Sequence, residues 1–271
     1  MNIFKNVEKN VEASWKAVKK HPLRFFSILL LDLLFLFLFI GVTFVLVTQL
    51  YDHIITLFTR MQELTGGLLN NIEQLPNFDA LWRDAQIQES FNQVLIRIVL
   101  SILSMAIIFA FLQGLSWYQS QKLFKRIQLR AYLATFINKT FITFGLFFIL
   151  ALAAAKTLLT SSFSLNPVIR PELVLGVFNI SLGVLWYFAI LSFTQRGKTW
   201  QDIKKAVFFG TKGIKHIAGE LVVIIIVGLL LNYAVLPSIY SLNNLAGMIF
   251  GLLLFLPYIA FSRILLIKAM N

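Results

Sequence analysis

Asp32 sits inside an apolar run, FFSILLLDLLFLFLFIGVTFVLVTQL, that fills residues 25–50 of this 271-residue chain. A carboxylate within a lipid-length stretch costs about 2.5–3.5 kcal/mol on insertion scales, so it calls for a partner or a function. Gln113 and Arg263 fall at comparable depth in later apolar runs. Three kinds of chemistry are open. Asp32 and Arg263 form a structural ion pair, or a neutral Asp32 donates to Gln113, or Asp32 is a proton or cation site on a transport path. Asn179 and Asn232, with Ser101, Ser104, Ser181 and Ser192, are the other polar groups within such runs. They either line a path or join helices, the ordinary use of small polar side chains in lipid.

Other chemistry has no residues to carry it. The chain has no cysteine, which removes disulfides, thiolate catalysis and Cys-based metal sites. Its 3 histidines, His21, His53 and His216, show neither HxxxH nor HExxH spacing, so no metal site is expected. No serine lies in a GxSxG context, and no glycine-rich loop leads into Lys-Ser or Lys-Thr. The expectation is a protein without catalytic residues or cofactor.

The elements that must position these groups are set by composition. Hydrophobic residues make up 58% and charged residues 13%, with 27 phenylalanines, whereas soluble domains carry about 25% charged residues. Lipid is therefore the main solvent, and helices are the form in which such runs satisfy their backbone there. Six spans are expected, at about 25–50, 94–118, 141–161, 173–194, 219–236 and 245–267. The fold class is all-α, one transmembrane domain over 1–271, with a helical hairpin at 51–93 inserted after the first span. Tyr51, Ile54, Ile55, Phe58 and Met61 carry the first helix beyond lipid; Gly66-Gly67 and Leu75-Pro76-Asn77 break it, and Leu81 and Trp82 start the return. Trp15, Trp117, Tyr118, Trp200, Tyr51, Tyr233 and Tyr240 fall near span ends, where aromatic belts form.

Charge sets the orientation. Of the 24 Lys and Arg residues, five (Arg60, Arg83, Arg97, Lys156 and Arg170) belong to one side when connections alternate, and the rest belong to the other. Cytoplasmic loops are the Lys/Arg-rich ones, so both termini are expected in the cytoplasm of a plasma-membrane protein. This accounts for most of the net charge of +12 without nucleic acid. The 51–93 hairpin is then extracytoplasmic and acidic, a surface for a protein partner. Residues 3–20 read as an amphipathic helix with Ile3, Phe4, Val7, Val11, Trp15 and Val18 on one face, ended by His21-Pro22. A second stripe, Trp200, Ile203, Val207, Gly210, Ile214 and Ile217, precedes span five. Lys16, Lys19, Lys20, Lys204, Lys205, Lys212 and Lys215 on these segments are candidates for anionic lipid headgroups.

WKAVKKHPLRFF, AYLATFINKTFITF and KAVFFGTKGIKHIAGE each lead from a basic helix into a pair of spans. Either the chain is three copies of one unit, or any six-span protein with basic inner loops looks this way. Gly247 and Gly251 form a GxxxG, and Ala151 and Ala155 a weaker pair, for packing within the chain or against a partner. Pro257 is expected to kink span six. The Trp-containing basic helix before span one (SWKAVKKHPLRFF) and TWQDIKKAVFFGTKGI before span five resemble the membrane domain found with some glycerophosphodiester phosphodiesterases. The resemblance covers the layout of the whole chain and implies the six-span topology; the phosphodiesterase domain is absent, so none of its chemistry follows. The leading functional expectation is a non-catalytic scaffold, accessory or envelope factor on anionic lipid. The alternatives are a transporter or channel using Asp32, and an intramembrane lipid enzyme.

Overall fold

The computed structural model describes residues 3–64, 84–162, 170–241 and 244–270. The expected breaks at Gly66-Gly67 and Leu75-Pro76-Asn77 and the return at Leu81 and Trp82 lie outside the described residues. Among the described residues there are helices and no strand. They are α1 (Ile3–Lys20), α2 (Pro22–Leu64), α3 (Ala85–Lys122), α4 (Leu129–Ser162), α5 (Pro171–Phe193), α6 (Thr199–Thr211), α7 (218–240) and α8 (Asn244–Ala269). Six of these, α2 to α5 with α7 and α8, are long and apolar enough to cross a membrane. The chain is a multi-pass integral membrane protein.

Local sequence explains where helices end. α1 stops at Lys20 because Pro22 has no N–H and occupies the first position of α2, while the His21 N–H still donates to Ala17 O at 3.2 Å. α6 ends where the Gly213 N–H turns back to Phe208 O at 2.9 Å, and a short 3₁₀ turn, Ile214–His216, leads into α7. The middle basic segment differs from the expected separate helix. From Leu129 the helix runs straight through Lys139 and Thr140 into span three. No proline interrupts it, so nothing opposes continuous helix. α8 likewise continues through Pro257. π turns interrupt α3 at Phe109–Gln113 and α7 at Leu231–Val235.

The chain divides into two compact units. The first holds residues 1–35 and 109–271. Its buried residues concentrate at one end of the spans, the basic end: Ile28, Trp117, Tyr132, Phe136, Phe193, Ile217, Ala260 and Ile264 are all there. α1 packs on α7 and α8, α6 packs on α4 and α5, and the start of α4 packs on the end of α3. α1 and α6 thus each rest on the pair of spans before them in a cyclic order, and the start of α4 rests on the span just before it. Two close approaches permit this packing. A Cβ on Gly114 would lie 3.0 Å from a Phe136 ring carbon, and one on Gly210 would lie 2.6 Å from a Phe188 ring carbon. Trp117 and Tyr118 are corrections to the belt assignment. They are buried in the aromatic core with Tyr132, Phe136 and Phe193, whereas Trp15, Trp200, Tyr51 and Tyr233 are exposed.

In the second unit, residues 36–108, polar contacts join α2 to α3. Arg97 donates to Gln49 Oε1 at 2.7 Å, and Arg60 meets Asp84 at 3.1 Å. Asp84 also caps α3, its Oδ1 accepting from the Gln86 and Ile87 N–H groups at 3.0 and 3.1 Å. The Ile87 N–H first, and Arg60 next, hold the Asp84 carboxyl below the usual aspartate range. A depressed carboxylate stabilises the folded form above its unfolded pKa, and that contribution disappears as pH falls through the folded value. Amide exchange at residues 86–90, corrected for intrinsic rates, is therefore expected to speed up several-fold below the ordinary aspartate range. In Asp84→Asn this added acceleration on acidification should be absent.

Candidate functional site

Asp32 meets its partners where one turn from each of three helices converges. It comes from α2, Gln113 and Ser116 from α3, and Arg263 from α8, and all four are buried. Asp32 Oδ1 accepts from Arg263 Nη2 at 2.9 Å, Ser116 Oγ at 2.9 Å and Gln113 Nε2 at 3.1 Å. Arg263 also donates to Gln113 Oε1 at 3.0 Å and to Ser116 Oγ, and its guanidinium lies 5.2 Å from the centre of the Trp117 ring. The π turn at Phe109–Gln113 ends on the residue that joins this network. Such turns shift helical phase by one residue and recur where side chains must be aimed. Asp32 Oδ2 accepts no hydrogen bond. Asp32 is 3% exposed and Arg263 4%. This is a closed ion pair with polar satisfaction on one carboxylate oxygen: the Asp32–Arg263 alternative is the one the geometry shows, and Gln113 donates to Asp32 rather than accepting from it.

A second buried pair was not singled out from the sequence. Lys139 Nζ of α4 lies 2.5 Å from Asp202 Oδ2 of α6, with side chains 2% and 0% exposed. Lys139 also donates to Ser192 O at 3.0 Å and Gln195 O at 3.1 Å, while Asp202 Oδ1 accepts the Gly197 N–H at 2.7 Å. These carbonyls belong to the C-terminal end of α5, where a helix leaves its last acceptors unsatisfied and favours a cation. Tyr132 donates to Phe193 O at 3.2 Å and Gln121 to Thr194 O at 2.8 Å, and Arg196 closes the set by donating to Gln121 Oε1. The whole buried end of α5 is therefore capped by side chains of α3 and α4.

A third contact ties down α1. Asn10 donates to Glu220 Oε1 at 2.7 Å, and Glu220, in the first turn of α7, is 1% exposed. Val18 and Ser14 of α1 are buried alongside. The signal for Asp202 and Glu220 was in the sequence: they are the only acids in the basic 195–220 segment. An isolated acid there is read easily as solvated, because burial is a tertiary property.

Of the other candidates, Asn179 and Asn232 are exposed on α5 and α7 and do not meet Asp32. Neither therefore extends the Asp32 network into a path. Ser101 bonds within its own helix to Arg97 O at 2.7 Å. Ser192 does likewise to Ala189 O at 2.8 Å. Gly247 is buried, and a Cβ on Gly251 would touch Leu236 at 3.4 Å, so the GxxxG lies in the packing of α8 on α7. Lys16, Lys19, Lys20, Lys204, Lys205, Lys212 and Lys215 are all exposed. Lys19 lies 5.3 Å from the Trp15 ring centre, and Lys16 pairs with Glu12 at 2.6 Å. Among the described residues no group of three His, Cys, Asp or Glu is placed to hold a metal.

Removing one member of a buried pair leaves the other charge uncompensated, at a cost of about 3–5 kcal/mol, whereas an apolar replacement of both is often near neutral. Asp32→Leu should lose about that much stability in detergent unfolding, and Asp32→Leu/Arg263→Met should recover most of it. Asp202→Ala should release α6, seen as roughly tenfold faster tryptic cleavage at Lys204 and Lys205 in the folded protein; unchanged cleavage would mean that apolar packing alone holds α6. No protein-family model matches the chain, and neither a curated protein nor a solved structure matches it.

Proposed function

We propose that this protein is a non-catalytic membrane scaffold or accessory factor, with both termini in the cytoplasm and its basic end set on anionic lipid. The observation that carries this is the division of charge at that end. Asp32, Arg263, Lys139, Asp202 and Glu220 are buried and engaged with one another or with neighbouring side chains, whereas the seven lysines of α1, α6 and the turn before α7 are exposed beside exposed Trp15, Trp200 and Phe208. Each Lys or Arg near an anionic surface contributes about 1 kcal/mol, and tryptophan favours the same depth. Exposed Asp52, Glu63 and Glu89 give the 36–108 unit an acidic surface for a partner.

A transport reading rests on one feature, the Asp32 Oδ2 that accepts no bond beside a π turn. The closure of the rest of the network weighs against it. Spin-labelled phosphatidylglycerol and phosphatidylcholine distinguish the leading reading. A several-fold preference for the anionic lipid is expected at low salt, collapsing toward parity in the variant with all seven lysines changed to Gln and in high salt. Equal association in the wild type would overturn the lipid-scaffold reading. A proteoliposome ion flux abolished by Asp32→Asn, with unfolding unchanged, would replace it with transport.

A further inference from the structure

α4, α5 and α6 enclose a groove of about 450 Å³ that opens beside the Lys139–Asp202 pair. Leu146, Val184, Phe188, Ile203 and Val207 give it an almost wholly apolar wall. The volume falls within the roughly 300–1,000 Å³ of small-molecule sites. It runs along α5 from Ser192 to Ile180, and twelve residues of helix span about 18 Å. That is near the depth of one leaflet of a hydrocarbon core about 30 Å thick. A smaller cavity of about 270 Å³ shares Ser181 and continues between Leu150 and Val177. The groove is kept open by small side chains at its floor, Ser181, Ala189 and Ala206.

Charge decides what fits its mouth. Lys139 and Asp202 pair at 2.5 Å, so Lys139, the charged residue of the lining, is not free for a polar ligand. The rim is different. On α6, Lys204 and Trp200 stand next to the Ile203 and Val207 stripe that faces the groove, and both are exposed. The other α6 lysine, Lys205, is exposed too, and the sole acid of that helix, Asp202, is buried in its pair. An apolar slot one leaflet deep with an unneutralised cation and an indole at its interfacial end is complementary to an acyl chain below an anionic phosphate.

We propose that this groove holds one phospholipid of the leaflet at the basic end, its acyl chain along α5 and its anionic headgroup on Lys204 and Trp200. The headgroup's charge rests on the lipid reading given above; occupation by an acyl chain stands without it.

The test is native mass spectrometry of the full chain, delipidated in detergent and then offered phosphatidylglycerol or phosphatidylcholine. Wild type should retain one phosphatidylglycerol with about tenfold preference over phosphatidylcholine. Val184→Trp, placed at a half-exposed wall position, fills the slot and should reduce retention of either lipid about tenfold, with thermal unfolding unchanged. Ile180→Trp is a second filling variant should the first not fold. Lys204→Gln should keep one lipid but lose the preference. Retention of phosphatidylglycerol in both filling variants at wild-type level overturns the site, even where the spin-label preference for anionic lipid survives. Loss of retention in a filling variant, in a protein whose spin-label preference is absent, keeps the acyl site and removes the anionic reading of its headgroup.

Discussion

Charge cannot be left alone in the layer where these helices meet. Ionised side chains lose several kcal/mol of hydration when buried, and an opposite charge or hydrogen-bond donors must offset that loss. Three acids are buried at the basic end, Asp32, Asp202 and Glu220, and each finds its partner on a different helix. These contacts determine which helices must be neighbours. Arg263 brings α8 to α2 and α3; Lys139 brings α6 to the junction of α4 and α5; Asn10 brings α1 to α7. Apolar contacts then fill the space around them, with Phe136 and Phe193 at 4.6 Å as the tightest aromatic pair in that core. In lipid, apolar side chains alone supply little preference for one neighbour over another, since lipid tails are as apolar as Leu. Polar pairs supply that preference here.

The same constraint separates structural from functional charge. A group that must titrate or carry an ion needs water or a relay. Asp32 has Arg263, Ser116 and Gln113 instead, all buried, with three donors on one oxygen. The seven lysines of α1, α6 and the turn before α7 remain exposed, Lys16 beside Glu12 and Lys19 over the exposed Trp15 ring. A protein arranged this way has paired Asp32 with Arg263 and Asp202 with Lys139 inside, has given Glu220 the Asn10 amide, and has left these lysines at its surface. That arrangement supports the proposed seating on anionic lipid, in which the open groove of α4, α5 and α6 would face lipid.

Long apolar runs determined the spans from sequence alone, because 1.5 Å per residue against a fixed bilayer thickness leaves little choice. The breaks were legible where a residue enforces them: Pro22 ends α1 through its missing N–H. They were not legible where the breaker is absent, and the basic stretch before span three, expected as its own helix, is the first part of α4. Asp32, Gln113 and Arg263 could be matched by depth, since a rare intramembrane charge restricts its own partners. Lys139 and Asp202 could not. A lysine and an aspartate in a basic, partly amphipathic segment look solvated, and only the seating of α6 over the end of α5 buries them. For the same reason Trp117 and Tyr118 read as interfacial anchors by position, and became core once Arg263 and Phe193 closed over them. Sequence thus determined what each segment is, through period, length and charge count. Tertiary structure decided which polar groups lost water, because desolvation depends on neighbours distant in the chain, such as Arg263 for Asp32.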